Sequence, residues 1–189
     1  MEQKRIRADY DDRHVTVYQA YSPAIAAPAL AAGRFVPPFK RGRMTWVKPS
    51  FLWMMYRSGW ATKPDQECVL AVRITRSGFD WAVRAAVPSS VRGGVKPDVR
   101  VQWDPERDLR LGELPYRSLQ LGLAGEASRR YVDEWVVGLT DVTSLAHRVH
   151  GLVRAGDLDA ARALLPVERP YPMPDLLPPD PLPALIREG

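Results

Sequence analysis

An α+β fold built mainly on antiparallel sheet is the class this sequence predicts. Several short segments alternate apolar and polar residues with the period of two expected of half-buried strands. Short helical stretches lie between them without regular strand–helix–strand alternation, which argues against a doubly wound parallel sheet. A chain of 189 residues, 46% hydrophobic and 26% charged, can bury one core without metal or disulfide staples.

The elements follow in chain order. Residues 1–13 are polar and basic, with Arg5, Arg7 and Arg13 set among acids. In HVTVYQAY (14–21), Val15 and Val17, with Gln19 continuing the series, alternate with Thr16 and Tyr18, which predicts a strand. Ser22-Pro23 opens an Ala-rich helix that Gly33 should close, and Pro28 inside it should kink or divide it. After the loop 35–42, residues 44–47 read as extended because Lys48 precedes Pro49. Pro49 and Ser50 can then start a helix that stops before Gly59.

ECVLAVRIT (67–75) is the strongest strand pattern and should be central, whereas 79–86 is ambiguous between strand and helix. A flexible loop over 89–97 leads to a strand through Val99, Val101 and Trp103 that should end at the turn Asp104-Pro105. RSLQLGL (117–123) alternates again, with Leu119, Leu121 and Leu123 on one face. A helical turn or two over 126–133 is followed by a strand, EWVVGL (134–139), with Glu134 at its start, and then by a helix over 144–154 with His147 and Arg148 facing solvent. The domain should occupy 1–165. Residues 166–189 form a Pro-rich tail, with eight Pro between 166 and 183, that should be extended or disordered.

Functional interest centres on RMTWVKPSFLWMMYRSGW (43–60), which holds three Trp, three Met, Phe51 and Tyr56 among Arg43, Lys48 and Arg57. Aromatic side chains bury 150–250 Å² each, so this stretch belongs in or beside the core, and any cation buried with it needs an anionic partner. It reads either as a core helix with snorkelling basic stems or as a pocket wall where Arg43 and Lys48 meet a phosphate-bearing ligand.

Other chemistries find less support. The lone Cys68 excludes an internal disulfide, and three His with no completing ligand set make a structural zinc site improbable. No G-x-G-x-x-G, no G-x-x-x-x-G-K-[ST] and no G-x-S-x-G is present. No apolar run is long enough to span a bilayer, and the charged N-terminus lacks a signal-peptide core, so a cytoplasmic protein without membrane contact is expected. A net charge of +5 with pI near 9.6 weakly favours polyanionic partners.

The runs VYQAY (17–21), 43–60, VQWDPERD (101–108) and RSLQLGL (117–123) resemble a bacterial domain-of-unknown-function family, DUF4291, across most of 5–150. That resemblance names no chemistry. More remotely, the order of elements resembles the ADP-ribosyltransferase superfamily, in particular its DNA-modifying toxin branch. The resemblance implies a split, mainly antiparallel sheet with short flanking helices and NAD as co-substrate, with no metal. It further implies that Tyr18, Gln19 and Tyr21 on the first strand, with Thr45, Trp46, Lys48, Ser50 and Phe51, contact NAD. Arg43 would neutralise the pyrophosphate, and Glu134 would stabilise a cationic sugar and orient the acceptor. The first strand offers Tyr18-Gln19 where His or Arg is often found, and Glu67 is a rival acid beside a central strand.

Three functions follow as expectations. The first is NAD-dependent transfer of ADP-ribose to a macromolecule, with a nucleic-acid base preferred and DNA ahead of RNA or protein. The second is a non-enzymatic basic module that binds nucleic acid through Arg, Lys and Trp. The third is a degenerate transferase fold used for protein interaction, with the Pro-rich tail as docking segment.

Overall fold

A computed structural model describes residues 3–91 and 96–172, so part of the loop at 89–97 and most of the Pro-rich tail lie outside the described residues. It is a mixed α+β fold with six α-helices among the described residues. The strands are β1 (Gln3–Arg5), β2 (Arg7–Ala8), β3 (His14–Tyr21), β4 (Thr45–Val47), β5 (Cys68–Thr75), β6 (Val87–Pro88), β7 (Val99–Arg107), β8 (Glu113–Leu123), β9 (Val136–Asp141) and β10 (Arg169–Pro170). The helices are α1 (Pro23–Ala32), α2 (Phe51–Ser58), α3 (Arg76–Arg84), α4 (Gly125–Arg130), α5 (Thr143–Ala155) and α6 (Leu158–Ala163).

Two principal sheets form. One is three-stranded and antiparallel, in the order β3-β5-β9, so β5 is central, as its run of buried residues requires. The other is built on β8, which pairs antiparallel with β7 on one edge and with β4 and the parallel β1 on the other; β6 joins β7 in parallel. The sheets touch where Tyr18 N donates to Lys48 O at 2.8 Å, joining β3 to the end of β4. That single bridge brings the first strand beside the aromatic segment.

Strand periodicity sorts the side chains. On β3, Val15 and Val17 enter a core shared with Leu70, Val72, Leu119 and Leu121, while Tyr18 turns to a second core with Phe51, Met55 and α5. Gln19 and Tyr21 continue the Val15–Val17 face toward the sheet junction. On β8 the leucines face the core, so Gln120 and Gly122 take the opposite face.

Local expectations meet several departures. Helix α1 stays continuous through Pro28, its first turn starting with Pro23 and its end closed by Gly33. The segment 79–86 is helix: Thr75 accepts from Gly78 N and caps α3, whose Phe79, Ala82 and Val83 are buried. Strand β7 runs through Asp104-Pro105 rather than turning there, with the irregularity taken up by a register shift before Arg107. Glu134 does not start a strand. Residues Tyr131–Trp135 form a π-helical turn after α4, and β9 begins only at Val136. Residues 166–172, which the sequence groups with the tail, pack against the domain through β10, whose partner is β2. Among the described residues no helix is long and apolar enough to cross a membrane.

Candidate functional site

A cavity of about 530 Å³ opens at the junction of the two sheets, within the range of small-molecule sites. Its wall contains Gln19 and Tyr21 from β3, the 38–46 segment with Arg43, Thr45 and Trp46, and Trp53 and Arg57 from α2. Gln120 of β8 supplies the sheet side, and Pro64, Asp65 and Gln66 come from the loop before β5.

The segment 43–60 splits into the two roles its composition allows. Trp46 is half-buried and stands opposite Gly122 in the β4–β8 register. A Cβ on Gly122 would meet Trp46 Cη2 and Met44 Sδ at 2.9 Å, so the bare glycine is what leaves room for the Trp46 ring and the Met44 sulfur beside the strand. Helix α2 is started by Ser50, whose Oγ accepts from Trp53 N at 3.1 Å and donates to Glu106 Oε1 at 2.7 Å. It ends at Gly59 with φ of 59°, a left-handed value that glycine adopts without steric penalty. Trp53 and Met54 face the cavity from this helix, while Phe51 and Met55 enter the second core.

Charge is distributed unevenly around the wall. Lys40, Arg43 and Arg57 are exposed and form no ion pair with an acid among the described residues. Lys48 is the reverse case. It is fully buried, its Nζ donating to Ser118 O at 3.2 Å, pairing with Asp104 at 3.4 Å and lying 4.4 Å above the Trp53 ring. Burial pulls its pKa down to about 8, and the nearby Asp104 and Glu106 limit the fall. Its ammonium is therefore committed to the protein. Among the described residues Asp65 is the one acid of the wall.

Gln19 is engaged at both its amide nitrogen and its amide oxygen. Its Nε2 donates to Trp46 O at 3.0 Å and its Oε1 accepts from Tyr131 Oη at 2.7 Å. Burial raises the pKa of Tyr131, and of Tyr21 beside it, so both phenols stay protonated donors at neutral pH. Gln19 thus ties β3, β4 and the π-helical turn together at the back of the cavity.

Of the residues singled out from sequence, Gln19, Tyr21, Arg43, Thr45, Trp46 and Lys48 meet at this cavity. Four do not line it. Tyr18 and Phe51 pack edge to face at 5.5 Å in the second core, and Ser50 is spent on its cap. Glu134, with a side chain 43% exposed, pairs with Arg129 at 2.9 Å and Arg130 at 3.2 Å. Its neighbour Asp133 pairs with Arg41 at 2.8 Å, two residues before Arg43. Glu67, the rival acid, has a buried Oε2 without a hydrogen-bond partner among the described residues and is not part of the wall. Gln120 was not singled out, although the alternation of RSLQLGL already places it opposite the core leucines.

The family model for Domain of unknown function (DUF4291) matches residues 5–171. The chain belongs to that family. The DUF4291 match takes in every cavity residue named above and extends through β10, so the docked segment 166–171 is part of the family domain. No curated protein matches the chain.

Proposed function

We propose that this DUF4291 domain binds NAD in the cavity at the sheet junction and transfers ADP-ribose to a macromolecule, with nucleic acid preferred as acceptor. One observation carries the reading: Lys40, Arg43 and Arg57, three cations without acidic partners among the described residues, converge on a cavity walled by Tyr21, Phe39, Trp46 and Trp53. Cations suit a pyrophosphate, and ring faces suit the bases on either side of it. The sheets meeting at Tyr18 and Lys48 also suit the split sheet of an ADP-ribosyltransferase-like fold. A chain of net charge +5 favours a polyanionic acceptor over a neutral one.

In the transfer, the bond between nicotinamide nitrogen and ribose C1′ breaks, and nicotinamide leaves with the bonding pair. An acceptor nitrogen or oxygen then bonds C1′ and gives its proton to a base. Arg43 neutralises the pyrophosphate, and Trp46 and Trp53 stack on a ring. Glu134 serves as the carboxylate from outside the wall, released toward the acceptor from its pairs with Arg129 and Arg130. A second reading, nucleotide binding without transfer, is favoured by one fact: no carboxylate except Asp65 lines the cavity among the described residues.

Calorimetry with NAD, together with assay of nicotinamide release and ADP-ribosyl product on single-stranded DNA, RNA and protein, separates these readings. Arg43→Ala should weaken NAD binding about tenfold or more, the scale of a charge-assisted hydrogen bond. Glu134→Gln should leave NAD affinity within about threefold and lower product formation by about 100-fold or more. NAD binding without nicotinamide release would establish the second reading, and absence of NAD binding would remove both.

A further inference from the structure

Three glutamines reach the cavity, and they are not equivalent. Gln19 has its amide closed on Trp46 O and Tyr131 Oη, so it holds the wall together and has little left for a ligand. Gln66 sits on the loop before β5 beside the exposed Asp65. Gln120 differs from both. It lies on β8, a strand paired along both edges, so its backbone is fixed. Its Nε2 donates to Oε1 of Gln102, the residue directly across on β7, at 2.7 Å. One bond therefore sets its side chain, while among the described residues its carbonyl oxygen and second N–H have no partner.

The polarity of the cavity adds a direction. Lys40, Arg43 and Arg57 are exposed, whereas among the described residues β8 gives the wall the uncharged Gln120, half-buried, and the charge nearest that strand, the Lys48 ammonium, is held by Asp104 and Ser118 O. A dinucleotide satisfies both sides when its central pyrophosphate lies on the cations and one of its flanking rings reaches the β8 side. The pyrophosphate meets the cations, and a ring turns toward β8 with its polar edge facing Gln120.

We infer that Gln120, held by Gln102, is the specificity-determining residue of the cavity and reads a paired donor–acceptor edge on one of the rings that flank the pyrophosphate. This inference rests on the dinucleotide reading above. Within NAD the edge is offered by the nicotinamide carboxamide or by the amino edge of adenine. A free amide carbonyl and N–H match such an edge with two parallel hydrogen bonds, as glutamine does with adenine in nucleic-acid recognition. A carboxylate in place of the carboxamide would present acceptors only and would leave the glutamine N–H pairing with charge and its oxygen facing another oxygen.

The test is calorimetry on the full chain with three probes: NAD, ADP-ribose, and nicotinic acid adenine dinucleotide, which carries a carboxylate in place of the carboxamide. Wild type, Gln120→Leu and Gln102→Leu are compared, with thermal melts to verify folding. Gln120→Leu should weaken NAD at least tenfold, and Gln102→Leu, which frees the Gln120 side chain, should weaken it less. If the carboxamide is read, wild type prefers NAD over the acid analogue at least tenfold, Gln120→Leu abolishes that preference, and ADP-ribose binding is unmoved. If adenine is read, Gln120→Leu weakens ADP-ribose as much as NAD. A folded Gln120→Leu that binds all three probes like wild type overturns the role of Gln120 while leaving the dinucleotide reading intact. A wild type that binds neither NAD nor ADP-ribose overturns that reading and this inference with it.

Discussion

Lys48 shows how a residue chosen for its charge can be used for something else. From sequence it pairs with Arg43 as a phosphate ligand; in the fold its ammonium is enclosed by Asp104, Ser118 O and the Trp53 ring. That enclosure has a pH signature. Folded Lys48 gives up its proton near pH 8, the unfolded chain near 10.5. Between those values the unfolded chain binds more protons, so stability should rise with pH across that window. Lys48→Met should flatten the rise, read from thermal melts at pH 7.5, 9 and 10.5. Gly122 is the second residue whose role is set by contact. A methyl there would strike Trp46 and Met44 at 2.9 Å, both in the cavity wall. Gly122→Ala should cost ~1–3 kcal/mol, the usual penalty for overpacking, and weaken NAD binding by shifting Trp46. Tryptophan fluorescence and calorimetry would register both effects. An unchanged spectrum with unchanged affinity would mean that Trp46 does not hold the ligand.

At the scale of elements, α2 was readable at both ends and along its length. Pro49-Ser50 opens it, Gly59 closes it, and the aromatic run supplies both its cavity face and its core face. What could not be read was its second cap. Glu168, from 110 residues beyond Ser58 in the chain, accepts from Phe51 N at 2.7 Å and is half-buried against the helix start. Burial lifts its pKa to about 8, although the bond from Phe51 N opposes the rise. The folded carboxyl therefore keeps its proton from pH 4.5 up to about 8 while the unfolded one has lost it, so stability should fall with pH across that window. Glu168→Gln keeps the acceptor for Phe51 N and should remove the fall, worth ~1–3 kcal/mol, measured by denaturant unfolding at pH 5 and 8. The π-helical turn at Tyr131–Trp135 was equally hidden. Alternation in EWVVGL is a strand signal, but Tyr131 reaching Gln19 and Trp135 packing on Gly78 pull the chain into helix for one more turn. Tertiary contacts of this range overrule local pattern, and nothing within a ten-residue window announces them.

For the whole molecule, the decisive element is the segment that looks least structured. Pro-rich composition marks everything after residue 165 as tail, because composition reports propensity and not what lies across the fold. Yet Tyr171 is buried, its N donating to Ile6 O at 2.9 Å and its hydroxyl to Asp80 at 2.6 Å. Its ring meets Tyr10 and Phe79 edge to face at 4.9 and 5.2 Å. Arg7 donates to Glu168 O at 2.6 Å, and Arg169–Pro170 pairs with Arg7–Ala8. The segment thus ties the N-terminal strands, α3 and α2 in one pass. A chain ending at Leu165 should lose a buried aromatic and the Glu168 cap together, ~3–5 kcal/mol or more, and melt on the order of 10 °C lower. A chain ending at Pro172 should melt within about 2 °C of full length if the fold draws its stability from the docked segment alone. The comparison also decides how a docking role for the Pro-rich tail can be tested. Deleting 166–189 would abolish partner binding through unfolding as readily as through a lost motif. Only removal of 173–189 from a chain that still melts normally isolates the motif.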